Sequence, residues 1–286
     1  MRKLWYRISP QMVMGELLEK RWMEPVIPFI LMFVVFLVFV IAIPDYGSVT
    51  ALQQLMRSFP EQALVAMAMA LSILSGGIDL SVGAVFAMAN FFALYFVMVL
   101  EWPLPLAFAA VLLWGVVIGA VNGGLIAYAK TRPFLTTMVV LIVVRALYNK
   151  VTVAYTTDLA SAYVDNATWD FIGIGSVFGV PVNMLCLIVI GIGSHFFLTR
   201  VRAGVHIMAV GSSRKAARHA GINVKRSLFL AYIMAGVLGS FAGFLYAARQ
   251  NSAGTDTGVG WEVNALAAAV VGGISLSGGA AVPAGR

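Results

Sequence analysis

Charge is what this chain has least of. Asp, Glu, Lys and Arg make up only 11% of its 286 residues, 61% are hydrophobic, and the mean hydropathy is +0.93. A soluble domain of this size needs far more polar side chain to cover its surface, so an ordinary soluble fold is excluded. Cysteine is nearly absent as well. Cys186 stands alone inside an apolar run, which leaves neither an internal disulfide nor a cysteine-built metal cluster. His195, His206 and His219 have no carboxylate close to them in sequence, and His-Glu-x-x-His, Gly-x-Ser-x-Gly and Gly-x-x-x-x-Gly-Lys-Ser/Thr are all missing. No catalytic residue, no metal site and no nucleotide site of the chain's own is expected.

One absence is local. Residues 199–226 contain no Asp or Glu, yet they carry Arg200, Arg202, Arg214, Lys215, Arg218, Lys225 and Arg226. Short loops rich in Lys and Arg stay on the cytoplasmic side of a membrane, so this island fixes the orientation of everything else. Its middle reads as a short helix. Ser212 or Ser213 can cap the N-terminus, Arg-Lys-Ala-Ala-Arg-His-Ala supplies helix formers and Gly221 can close the C-terminus. A capped helix on a cytoplasmic loop suggests docking. The net charge of +7 does not point to nucleic acid, because five of the basic residues precede Glu24, two are Lys130 and Arg132, and seven lie in the island, all on one side in this topology.

What the chain has in abundance is apolar runs near the roughly 20 residues needed to cross a bilayer. The expected fold is an all-α polytopic membrane protein, a single domain over residues 1–286 with about seven full transmembrane helices and a partial eighth. Residues 1–24 read as a cytoplasmic, membrane-surface segment broken at Pro10, and not as a cleaved signal peptide. Crossings follow over residues 26–43, 61–75, from the break at 76–83 to 100, 104–129, 134–154, 182–198 and 228–247, with a shorter inward stretch over 262–273. Residues 155–181 form the largest external loop. The chain is expected to be shortened at its C-terminus, or to need a partner that buries the end of its last segment.

Several residues stand out within these runs. Gly115, Gly119 and Gly123 recur every fourth position, and Gly239 and Gly243 make a second pair, so both strips predict close helix packing. Gly76-Gly77 and Asp79 interrupt what would be one overlong helix. A charge at membrane depth costs roughly 2.5–3.5 kcal/mol and marks a pathway or a partner, but an Asp just before a new helix is also a natural N-cap. The cap is the favoured reading. Asn90 and Asn122 can bond across helices or to a polyhydroxylated ligand, the former being commoner. Arg145 pairs with an acid or snorkels outward, and Glu262 and Asn264 open the last inward segment. Gly-Gly-Ile-Asp-Leu-Ser at 76–81 is echoed by Gly-Gly-Ile-Ser-Leu-Ser at 272–277, a hint of a parallel repeat or a chance match in Gly- and Ser-rich sequence. Leu-Ser-Gly-Gly at 74–77 and 276–279 looks like the start of an ATPase signature, but membrane sequence without a phosphate-binding loop rejects that.

The motifs Gly76-Gly77-Ile78-Asp79-Leu80-Ser81-Val82-Gly83, Asn122-Gly123, Pro133-Phe134, Ala209-Val210-Gly211, Ala216-Ala217-Arg218, Gly221-Ile222 and Val271-Gly272-Gly273 resemble the permease subunits of ribose-type ABC sugar importers. The resemblance spans residues 61–279. It implies a transmembrane permease domain that forms half of a translocation pathway for a monosaccharide or similar polyol in the cell's inner (cytoplasmic) membrane, with its N-terminus cytoplasmic. The implied partners are a second permease copy or paralogue, a cytoplasmic ABC ATPase that uses the ATP, an external or periplasmic substrate-binding protein and membrane lipid. No cofactor is implied for this chain.

The resemblance also assigns an ATPase-coupling loop to Gly211, Arg214, Lys215, Ala216, Ala217, Arg218 and Gly221. It places a family motif and possible pathway at Gly76, Gly77, Asp79, Ser81, Gly83, Asn90 and Asn122. The sequence departs from the family at Arg132-Pro133-Phe134, where Pro-Pro-Phe is frequent, and at Asn264, where Asp is common. The rival readings are a stand-alone secondary transporter or channel, with Asp79 and Glu262 as its ion-coupling groups, and a membrane-embedded enzyme, which lacks a recognisable catalytic constellation.

Overall fold

In lipid the backbone has no partner but itself, so apolar runs punctuated by Pro, Gly and charge fold as helices. The computed structural model describes residues 23–162, 166–276, 278 and 279. Its helices are α1 Met23–Ala42, α2 Val49–Leu74, α3 Val82–Leu94 continued by a π-helical turn Tyr95–Val99, α4 Leu104–Ala127, α5 Pro133–Ala154, α6 Thr156–Ser161, α7 Ala167–Ile174, α8 Val182–Arg200, α9 Arg202–Ser212, α10 Arg214–His219, α11 Val224–Gln250 and α12 Trp261–Val271. The strands among the described residues are β1 Ser176–Val177 and β2 Val180–Pro181, an antiparallel pair in the register Ser176↔Pro181. The chain is an all-α polytopic membrane protein.

Each expected crossing is a helix, and the break at residues 75–81 is real. Among the described residues five helical spans, Val82–Val99, Leu104–Ala127, Pro133–Ala154, Val182–Arg200 and Val224–Gln250, are long and apolar enough to cross a bilayer. The expected second crossing differs most. It starts at Val49 rather than near residue 61, where Ser48 Oγ accepts the Ala51 N–H at 3.2 Å, and it runs on through Pro60. Gln53, Gln54, Arg57, Glu61 and Gln62 make α2 more polar than a simple lipid span. Residues 155–181, expected as a loop, contain α6, α7 and the hairpin. The membrane-surface reading of residues 1–24 lies outside the described residues, except where α1 begins.

The described residues fall into two compact units: those up to Leu52 with Val271–Gly273, and those within Gln53–Val270 with those from Ile274 on. In the first, Tyr46 folds back on α1, with its ring 5.5 Å from Phe39 and 6.1 Å from Phe36.

The second unit is built around α3, which is buried along almost its whole length, and α11. The glycine strips explain how these helices approach. A Cβ at Gly119 would fall 2.5 Å from the Tyr232 carbonyl oxygen and 2.6 Å from Ile233 Cα, while Gly115 lies against Gly236 and Ser240, and Gly123 against Phe229. This seam joins α4 to α11. On its other side α11 presents Gly239 to Val82 and Gly243 to the Phe86 carbonyl and Ala89, which joins it to α3. Dispersion and close backbone contact are what hold helices together where lipid is as apolar as leucine. Trp169 of α7 completes the packing: it is 1% exposed, meets Phe244 edge-on at 5.5 Å and donates from Nε1 to Asn251 Oδ1 at 2.8 Å.

Candidate functional site

The turn between α2 and α3 is a polar node in an apolar surround. Helix α2 ends in a Schellman cap, with the Gly77 N–H donating to the Ser72 carbonyl at 3.1 Å and the Gly76 N–H to Ile73 at 2.8 Å; Gly76 has a φ of 85°, the left-handed conformation this cap requires. Asp79 is 1% exposed. Its Oδ1 accepts the Ser81 N–H at 2.9 Å, the Ser81 Oγ–H at 2.6 Å and Asn122 Nδ2 at 3.5 Å, and Asn122 Nδ2 also donates to Ser81 Oγ at 2.8 Å. Thr137 of α5 donates from Oγ1 to the Ile78 carbonyl and accepts the Leu80 N–H, each at 3.1 Å. The expectation that Asp79 caps the following helix is corrected. The cap position is Ser81, whose side chain makes no cap bond, and the carboxylate sits two residues earlier, where it closes an Asx turn. Asp79, Ser81 and Asn122 thus come together and pin the turn to α4, while Gly77 lies against Pro133 and the buried Tyr232 hydroxyl.

The basic island forms α9, α10 and the start of α11. Of the two possible caps the structure uses Ser213, whose Oγ accepts the Ala216 N–H at 3.2 Å. At the other end the Ile222 N–H reaches the Ala217 carbonyl at 2.9 Å and the Gly221 N–H the Arg218 carbonyl at 3.1 Å, with Gly221 at a φ of 78°. Arg214, Lys215, Ala216 and Arg218 are exposed. Ala217 is not: it packs with Ala127, Val210 and Leu228, so the face α10 offers outward excludes it. Gly211 is also turned inward, because a Cβ there would overlap the Leu74 carbonyl.

Sequence reasoning missed what Gly211 does. It packs against Leu74 and Gly279, and Gly278 packs against Gly76 and Gly211, so the glycines of the two Leu-Ser-Gly-Gly stretches and the residues leading into α10 meet at one junction. The Gly279 N–H donates to the Leu74 carbonyl at 3.3 Å, and Arg214 Nη2 lies 3.5 Å from the Gly76 carbonyl. The repeated tetrapeptide was the visible signal, but nothing in the sequence said that the copies touch.

Along α3 from Gly83 to Asn90 a loop over residues 251–260 is clamped from three sides. Arg145 donates to the carbonyls of Thr257 at 2.6 Å and Gly258 at 3.0 Å, Tyr148 to Gly254 at 2.7 Å and Asn90 Nδ2 to Ser252 at 3.2 Å. Arg145 therefore neither ion-pairs nor snorkels; backbone carbonyls hold it. Gly83 lies against the Glu262 carboxylate and the Gly258 carbonyl. Nearby, Glu61 is wholly buried and accepts from Arg249 Nε at 2.7 Å and Asn183 Nδ2 at 3.0 Å, joining α2, α11 and α8. No motif announced this trio, whose members lie 122 and 188 residues apart. Among the described residues no three His, Cys, Asp or Glu side chains gather as metal ligands.

Residues 51–283 match the family described as branched-chain amino acid transport system / permease component. The chain is 34% identical over 239 residues to the ribose import permease protein of Escherichia coli strain K12, covering 82% of this chain and 73% of that one. It is 34% identical to a fructose import permease protein of Bifidobacterium longum strain NCC 2705, over 76% of this chain and 60% of that one. To the D-allose transport system permease protein of Escherichia coli strain K12 it is 32% identical, over 76% and 65%. No solved structure matches the chain.

Proposed function

The chain belongs to the branched-chain amino acid transport system / permease component family, and from that premise we propose that it forms half of the translocation pathway of an ATP-driven importer for a monosaccharide or similar polyol. It is a transport component of a membrane assembly, and the covalent chemistry falls to a separate cytoplasmic ATPase; this chain holds no cofactor. A second permease chain completes the pathway, and an external binding protein delivers the sugar. The assembly lies in the inner membrane with the basic island and the N-terminus on the cytoplasmic side.

The observation that carries this reading is the junction of Gly76, Gly211 and Gly278. The exposed cationic helix α10 follows directly on α9, whose Gly211 packs against the end of α2 and so onto the turn that Asp79, Ser81 and Asn122 hold. A partner that pulls on α10 as it binds and hydrolyses ATP therefore pulls on the start of α3. Close backbone packing transmits such a displacement because it cannot deform gradually.

The test reverses charge on the outward face of α10. Lys215→Glu combined with Arg218→Glu is expected to abolish ATP-dependent uptake while the protein still inserts and keeps its melting temperature. Normal uptake by that variant would sink the coupling role. Ala217, named by the sequence motif, is the wrong place for this experiment, since an acid there would first disrupt its packing on Val210 and Leu228.

A further inference from the structure

The exposed faces of the long helices divide by chemistry. On α4 every exposed side chain over residues 105–125 is apolar, and the same holds on α5 over residues 134–147. Those faces suit lipid tails. Helices α2 and α12 break the pattern, for Gln62 and Asn264 are both exposed and neither has a hydrogen-bond partner in the protein. An amide carries donors and an acceptor, and leaving it unpaired in an apolar medium costs roughly 1–3 kcal/mol, so this face meets water or a polar ligand.

The two amides line one cleft of 240 Å³ between α2 and α12, with Trp261, Phe59 and small alanines completing its wall. Trp261 is held in place before any ligand arrives. Its ring stacks on Phe86 at 4.2 Å between centroids, and Tyr246 meets it edge-on at 5.7 Å. A fixed aromatic wall with two uncommitted amides matches the two-sided chemistry of a sugar ring, which presents C–H groups on one face and hydroxyls around its rim.

We propose that this cleft is a monosaccharide-contact site of the pathway, with Trp261 taking the C–H face of the ring and Gln62 and Asn264 bonding its hydroxyls. The assignment rests on the importer reading above.

The probes are radiolabelled D-ribose, D-fructose and D-allose, supplied to cells that carry the complete transporter. Gln62→Leu and Asn264→Leu remove only uncommitted amides and leave the Trp261 stack untouched. Each is expected to raise the half-saturating sugar concentration by about fivefold, the worth of one net hydrogen bond, with the maximal rate retained. In a Cys186→Ala background, Asn264→Cys is expected to react with a membrane-impermeant methanethiosulfonate reagent, the transported sugar should slow that reaction, and Leu113→Cys on the lipid face of α4 should stay unreactive. If the unaltered transporter carries one of the sugars but the leucine variants behave normally, or Asn264→Cys is unreactive or unprotected, the site assignment falls and the importer reading stands. If none of the three sugars is carried and none slows the labelling, both fall.

Discussion

Removing Arg249 should destabilise this protein more than removing both Arg249 and the charge it neutralises. Glu61 is fully buried, and one carboxylate oxygen takes both Arg249 Nε at 2.7 Å and Asn183 Nδ2 at 3.0 Å; the other, Oε2, has no partner. Arg249→Met leaves that carboxylate with one amide for company, and breaking a buried pair from one side costs about 3–5 kcal/mol. At roughly 2–4 °C per kcal/mol for a chain of this order of size, the melting temperature should fall by roughly 6–20 °C. The double variant Glu61→Gln with Arg249→Met removes the charge as well. A Gln side chain at position 61 can donate to Asn183 Oδ1, which is buried without a donor in the native protein. The double variant should therefore recover more than half of the loss. Gel filtration of detergent-solubilised protein after heating, followed by Trp fluorescence, measures all of these, and Glu61→Gln alone closes the cycle. A double variant as unstable as Arg249→Met would refute the reasoning, because the loss would then reflect the arginine's own packing over Tyr246.

Other outcomes follow from the same geometry. Gly119→Val drives side-chain atoms into the backbone of α11 at Tyr232 and Ile233 and should cost about 1–3 kcal/mol or more, whereas Gly124→Val, with nothing within 4 Å, should be nearly silent; thermal melts of the pair decide this. Arg145→Met frees the carbonyls of Thr257 and Gly258, and limited proteolysis from outside should then cut residues 251–260 several-fold faster than in Lys150→Met. Gly221→Val forces a β-branched residue to a φ of 78°, at a cost of order 1–3 kcal/mol confined to the end of α10, so uptake should drop further than the melting temperature does.

Much of the fold was legible because lipid makes it so. Twenty apolar residues between polar breaks have one backbone solution, and Gly76-Gly77 ahead of Asp79 could only end a helix. The short helix α10 was equally readable, since a Ser cap, helix formers and a closing glycine act within one turn of each other. The start of α2 was not. Gln53, Gln54 and Pro60 weaken every local signal, and helix persists there against local preference. Asp79 was read one step wrong for a related reason: where the helix begins relative to Ser81 decides whether a carboxylate two residues earlier caps it or closes a turn ahead of it.

Composition and local pattern determined that this is a polytopic helical membrane protein, where its helices break and which stretch is basic, because each of those follows from interactions within about four residues or from the contrast between lipid and water. Only the tertiary structure decided which groups meet. It brought Asp79 to Asn122, buried Glu61 against Arg249, turned Ala217 inward, placed Gly211 between two copies of Leu-Ser-Gly-Gly and left Gln62 and Asn264 facing one cleft. Those pairings depend on how helices rotate about their axes and cross. That is set by close packing among residues on different helices, which no local pattern encodes.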